Sequence, residues 1–134
     1  MITVLVADDE AGVCSVVKLL LARQGYTVIT CSDGQAALDL LATEHFAAIL
    51  TDLNLPRVHG LKVIEAARAI KPGVPIVVMS GDDSPANSEA PLERIEGLYR
   101  LSKPFKPKDL LALIGKITSP LRDVATGRTA EKVA

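Results

Sequence analysis

No charge of one sign dominates this sequence. Fifteen lysines and arginines stand against sixteen aspartates and glutamates, for a net charge of −1. A general nucleic-acid footprint needs a clustered basic surface to neutralise phosphates, so no direct DNA binding is expected. Long apolar runs are missing too: Lys18 interrupts even VVKLLLA, well short of the ~18 residues of a membrane span. The opening MITVLVADDE has neither the basic start nor the cleavage site of a secretory leader. A cytoplasmic protein with no membrane partner is therefore expected. The only cysteines, Cys14 and Cys31, show no CxxC spacing and no histidine partner pattern, and read as small buried residues in a reducing compartment. There is no internal repeat and no linker toward a second domain.

What remains is enough for one domain. The chain has 134 residues, of which 49% are hydrophobic, sufficient for a real core. Residues 2–7 form an apolar, β-branched run ending in Asp8-Asp9-Glu10, which reads as a buried strand. From residue 10 to 24 the period changes, with Val13, Val16, Val17 and Leu20 on one stripe, and Gly25 stops that helix as a left-handed cap. A second strand is expected at 26–30. Ser32 and Gln35 suggest a capping box for a helix through Leu40 and Leu41. Further strands are expected at 47–51, 76–80 and, more weakly, 98–102, with helices at 60–70 and 109–117. Between residues 81 and 97 turn formers abound, and any helix there should be short and begin near Pro91. From Thr118 periodicity fades, so residues 1–118 read as the folded domain and 119–134 as a frayed or linker-like tail.

Strand–helix alternation through five repeats implies a parallel α/β sheet covered on both faces. Ligands of such sheets bind beyond the carboxyl ends of the strands. At those ends stand Asp8, Asp9 and Glu10 after the first strand, Asp52 after the third, Ser80 after the fourth and Lys103-Pro104 after the fifth. Converging carboxylates raise one another's pKa unless a cation joins them. Mg²⁺ suits the place, since it takes one or two carboxylates plus waters and a phosphate oxygen. With metal and Lys103 present, the crevice fits a phosphoryl group, with Ser80 donating a hydrogen bond and Asp52 the best candidate nucleophile. Plainer roles remain open: the acids could cap the first helix, Asp52 could form a turn, and Lys103 could be a solvated surface lysine. His45 and His59 have no partners at ligand spacing and read as surface loop residues.

These residues resemble a known family, the receiver domains of two-component response regulators. VLVADDE matches its acidic pair, DLNLPRVHG its phosphoacceptor motif, VVMSG its switch hydroxyl and SKPF its lysine and proline. The likeness runs in order over about residues 2–117. It implies a doubly wound, flavodoxin-like five-stranded sheet of order 2-1-3-4-5. It further implies Asp52 as phosphoacceptor, and Asp9, Asp8, Asp52 and the Asn54 carbonyl as Mg²⁺ ligands. Ser80 and Lys103 would touch the phosphoryl oxygens, and the Lys103–Pro104 bond would be cis. The donor would be a sensor histidine kinase or a histidine phosphotransfer protein. The domain would catalyse transfer to itself and its own slow hydrolysis. Output would be a population shift read by a downstream protein. Asn54 and Asp82 would set how readily water attacks the acyl phosphate.

Three features depart from the family pattern. Where an aromatic switch residue usually stands, this chain has Arg100, with Tyr99 one place earlier. Either Arg100 reports the switch by ion pairing, or a bulge lets Tyr99 take its place; Arg100 is favoured. The turn-rich 81–97 stretch stands where a regular fourth helix is usual. Leu55 stands where methionine is common, a volume-conserving exchange of little consequence. A single-domain, chemotaxis-regulator-like protein without an effector domain is expected. A receiver fragment of a hybrid kinase or larger regulator, or a phosphorelay intermediate or phosphate sink, is the alternative. A haloacid-dehalogenase-type phosphatase would want a second aspartate where Asn54 stands. A flavin carrier would want a phosphate-cradling loop in place of DDE.

Overall fold

Continuous β-branched runs too apolar for a solvent-facing strand must be covered on both faces, and here they are. The computed structural model describes residues 2–81 and 95–126, with side chains of the last helix described to residue 119. The elements are β1 (Thr3–Ala7), α1 (Ala11–Arg23), β2 (Thr27–Cys31), α2 (Gly34–Thr43), β3 (Ala48–Asp52), α3 (Gly60–Ile70), β4 (Ile76–Gly81), β5 (Leu98–Lys103) and α4 (Pro107–Thr126). All neighbouring strands are parallel, in the order β2-β1-β3-β4-β5, as the resemblance implied.

The two-residue strand period sorts each strand between two cores. Leu5, Ile49, Ile76 and Val78 face one cluster, closed by Ala37 and Leu41 of α2 and Val63 and Ile64 of α3. Val4, Val6, Leu50, Val77 and Met79 face the other, closed by Val17 and Leu21 of α1 and Leu110 and Ile114 of α4. Each such fully buried side chain contributes about 1.5–3 kcal/mol, so the central strands leave no room for charge except at their ends. Among the described residues no helix is long and apolar enough to cross a membrane.

Several local expectations shift. On α1 the buried residues are Val17 and Leu21, while Val16 is 50% exposed and falls outside the core stripe. The helix ends as expected, with Gly25 at φ +93°. The cap of α2 is Asp33, whose side chain accepts from the Ala36 N–H at 2.7 Å, in place of a Ser32–Gln35 box. The carboxylate one residue on is better placed for the first free N–H groups. His59 is likewise a cap: its Nδ1 accepts from the Leu61 N–H at the start of α3. The last helix runs on to Thr126 through residues expected to fray. Thr118 is fully buried, donates to the Ile114 carbonyl at 2.7 Å and lies 2.7 Å from the Tyr26 hydroxyl. A polar pair across the core replaces the apolar period that the sequence lacks there. The short helix expected near Pro91 lies outside the described residues.

A glycine lets the loop after β3 approach α3 closely. A Cβ on Gly60 would collide with the Asp52 carbonyl oxygen and the Leu53 Cα, and the Gly60 N–H donates to the Leu53 carbonyl at 2.8 Å. In an ordinary helix glycine-to-alanine exchange stabilises by about 0.5–1 kcal/mol. At Gly60 the clash is with backbone, so Gly60→Ala is expected instead to cost about 1–3 kcal/mol, read from the urea unfolding midpoint.

Candidate functional site

The site follows from the same alternation that builds the second core. Val4 and Val6 lead to Asp8, Ala48 and Leu50 to Asp52, and Tyr99 and Leu101 to Lys103. Three charged residues thus emerge at the carboxyl edge on one face of the sheet. Lys103 must cross the end of β4 to reach the others. Gly81, its register partner on β4, has no side chain to stand in that path.

The Lys103 ammonium lies 2.6 Å from Asp8 Oδ2, 2.9 Å from Asp52 Oδ2 and 3.1 Å from Glu10 Oε1. Asp8 is fully buried, the Lys103 and Asp52 side chains are 13% exposed, and Glu10 is open to solvent. The aspartates share one arrangement. Asp8 Oδ1 accepts from the Glu10 N–H at 2.8 Å and Asp52 Oδ1 from the Asn54 N–H at 3.0 Å, leaving each Oδ2 to the lysine. Asp52 is therefore both a turn former and a site residue. The capping role for the acids does not hold: the N-cap of α1 is Glu10, which makes no side-chain cap bond, and the first turn holds no acid.

Asp8, Glu10 and Asp52 each place an oxygen within 4.8 Å of the others. Two like charges at such a distance repel by about 3 kcal/mol at an effective dielectric constant of about 20. Three carboxylates and one ammonium leave a formal charge of −2, which one divalent cation would cancel. Every donor is a hard oxygen. Asp8 Oδ2, although close to the ammonium, has no aligned hydrogen bond. The contact is one of charge without direction, so an oxygen lone pair stays open to a metal. The residues present fit Mg²⁺.

Titration follows the same forces. Burial raises the Asp8 carboxyl above its ordinary value, against the lowering action of the adjacent Lys103 ammonium and of the Glu10 N–H hydrogen bond. Burial would lower the Lys103 ammonium, but the close carboxylates of Asp8 and Asp52 outweigh it and push it up. Cys14 donates to the Asp8 carbonyl at 3.3 Å. Burial raises its thiol and pushes that of Cys31 up to about 11, so both are held as thiols, although each is half-buried at the core edge and not fully buried as expected.

The remaining site residues fall into place unevenly. Asp9 is exposed and stands outside the three-carboxylate group; it lines a groove that Asp8 shares, with Cys14, Ser15 and Ser32. Glu10, to which the sequence reading gave no ligand role of its own, takes part instead. Glu10 has extended backbone, so the two-residue period of β1 carries past its end and puts Asp8 and Glu10 on one side, Asp9 on the other. That period was available in the sequence. Asn54 is exposed beside Asp52. Ser80 is half-buried on the opposite face, following Ile76 and Val78. Arg100 is exposed on that same face, opposite Val78 in register. Tyr99 is half-buried against the second core. The β4–β5 register is unbroken from Ile76↔Leu98 to Gly81↔Lys103, so no bulge turns Tyr99 toward Ser80. The Lys103–Pro104 peptide is cis. Asp82 lies outside the described residues.

The raised Asp8 pKa gives a stability signature. The folded state holds the Asp8 proton above the pH at which the unfolded chain releases it, so this group's contribution falls as pH rises through that window. In chelator, Asp8→Asn is therefore expected to gain stability over the wild type from about pH 4 upward. Urea unfolding at pH 4 and pH 7 checks this: a gap that stays constant or narrows contradicts it, and added Mg²⁺ should close the gap from the wild-type side.

Comparisons with known proteins agree with this geometry. The family model for the response regulator receiver domain matches residues 4–115. Response regulator MprA of Mycolicibacterium vanbaalenii is 35% identical over 111 residues, covering 83% of this chain and 48% of the relative. The alkaline phosphatase synthesis transcriptional regulatory protein PhoP of Bacillus subtilis is 34% identical over 114 residues, covering 85% and 47%. The chain spans about half the length of these relatives. Among solved structures, chemotaxis response regulator CheY4 of Vibrio cholerae is similar with a TM-score of 0.76 at 28% identity, covering 87% of this chain and 98% of that one. A response regulator receiver protein from Sinorhizobium medicae gives a TM-score of 0.78 at 28% identity, covering 88% and 94%. Matched along most of its length by the family model and by its relatives, the chain belongs to the response regulator receiver domains of two-component signalling.

Proposed function

We propose that Asp52 is a phosphoacceptor in a Mg²⁺-dependent transfer from a phosphohistidine. The observation that carries this reading is the Lys103 ammonium 2.9 Å from Asp52 Oδ2 within a ring of carboxylates. An Asp52 oxygen attacks phosphorus, the P–N bond to the donor imidazole breaks, and the imidazole leaves with the bonding pair and takes a proton from solvent. Lys103 turns from the carboxylates to the phosphoryl oxygens, and the Ser80 hydroxyl donates to them. Asp8, Glu10 and Asp52 would hold the cation, with the Asn54 carbonyl as a further ligand and Asp9 joining only by turning its side chain in from the neighbouring groove; bound there, it would neutralise charge as the phosphoryl group arrives.

The donor is read as a sensor histidine kinase or a histidine phosphotransfer protein. Val16 and Leu19 of α1 are half exposed, and a groove lined by Glu10, Val13, Val16 and Phe105 opens onto Lys103. An apolar rim leading to the charged centre suits an amphipathic helix carrying the histidine. The unbroken register supports Arg100, on the face of Ser80, as the residue that reports phosphorylation. Output is then a population shift read by a protein partner, without DNA contact by this domain and in the cytoplasm. A second reading is a receiver within a longer regulator, favoured by relatives of which the match covers about half, one of them named a transcriptional regulatory protein.

Incubation with Mg²⁺ and a small phosphodonor is expected to add one phosphoryl mass to the wild type and none to Asp52→Asn. The adduct should survive acid and be lost in base. No adduct, or equal labelling of both proteins, would sink the proposal. Asn54→Ala and Asp82→Ala are expected to change the lifetime of that adduct, and unchanged decay in both variants removes them from any role in hydrolysis.

A further inference from the structure

The loop that follows Asp52 is held from outside by the N-terminus of α2. While Asp33 Oδ1 caps that helix, Asp33 Oδ2 lies 3.8 Å from Arg57 Nη1. The next residue, Gly34, donates its N–H to the Pro56 carbonyl at 3.0 Å, and the same carbonyl accepts from the Val58 N–H at 2.8 Å. Gly34 sits so close that a Cβ there would collide with the Val58 carbonyl. Between these contacts Arg57 has φ +70°, the one non-glycine residue with positive φ among the described residues.

A β-carbon disfavours that conformation, which persists only where the surroundings over-determine it. The Arg57 side chain is 65% exposed and Asp33 21%, so their ion pair contributes little to stability. The fold by itself has no evident use for a strained residue holding so weak a contact. The other end of the loop supplies one. It begins at Asp52 and Asn54, joined by the 3.0 Å bond from the Asn54 N–H to Asp52 Oδ1. It closes where the Gly60 N–H meets the Leu53 carbonyl. Fixing its middle at residues 56–58 limits how far the Asp52 carboxylate and the Asn54 carbonyl can turn.

We infer that Asp33 and Arg57 are positioning residues, a latch that holds the β3–α3 loop on α2 and preorganises Asp52 and Asn54 for a divalent cation. Neither touches the reacting atoms. The inference rests on the reading of Asp52 as a Mg²⁺-dependent acceptor, and its test uses no phosphodonor.

The test is calorimetric titration of the full chain with Mg²⁺ alone, for wild type, Arg57→Gly, Asp33→Asn and the double variant. Arg57→Gly removes the guanidinium and also the strain, since glycine adopts positive φ freely. Asp33→Asn removes the charge and keeps a good N-cap. Each single variant is expected to weaken Mg²⁺ binding by about 3- to 10-fold, below the usual loss for a buried outer-shell partner. The double variant should be no weaker than either single one, because both remove the same latch. The thermal midpoint of Arg57→Gly should equal or exceed that of the wild type. Unchanged affinity in the single variants, losses that multiply in the double one, or a midpoint that falls along with affinity in Arg57→Gly overturns the latch. So does a wild type that binds no Mg²⁺. Labelling of Asp52 is read in a separate reaction, so it can succeed while the latch fails, and the affinities remain readable if labelling fails.

Discussion

One ammonium holds this molecule's charged edge together. Lys103 reaches across the end of β4 to meet Asp8, Glu10 and Asp52, and so ties β5 to β1 and β3, strands it does not pair with. Without it three carboxylates would face one another at the rim of a low-dielectric core, where each repulsion is several times larger than in water. With it the cluster is still two charges short of neutral. That residual deficit suits a divalent cation, and one such ion would cancel it.

The rest of the structure serves that edge. Parallel strands end at the same side of the sheet, and the two cores grip them so tightly that polar atoms can appear only where the strands stop. Gly81, the register partner of Lys103, presents no side chain at that edge, and Gly60 lets the backbone of α3 press on Asp52 itself. Each aspartate commits one oxygen to an N–H two residues on and so presents the other in a set direction. The stiffness needed for chemistry comes from ordinary turn bonding.

Much of this was legible in the chain. The four apolar runs, the change of period at each helix, and the acids, hydroxyl and lysine at strand ends follow from side-chain size and polarity alone. What was missed has local physical causes. The exposure of Val16 depends on how α1 is rotated against the sheet, which apolar spacing leaves open by one residue. The cap of α2 went to Asp33 over Ser32 because the chain turns one residue later than the box pattern assumes. At the start of the α4 extension Thr118 is held by a hydroxyl pair with Tyr26, distant in sequence and invisible to any window along it. Glu10 was within reach, since the strand period needed only to be carried two residues further.

The sequence by itself determined the fold class, the strand ends that matter and the kinds of atom found there, because burial and period are properties of neighbouring residues. Tertiary structure alone decided how closely Asp8, Glu10 and Asp52 approach the lysine, that Tyr99 faces the core while Arg100 shares the face of Ser80, and that the loop after Asp52 leans on α2. Those are matters of rotation, register and close approach between segments far apart in the chain. They depend on distances of a few ångströms, which a linear pattern of residue types does not contain.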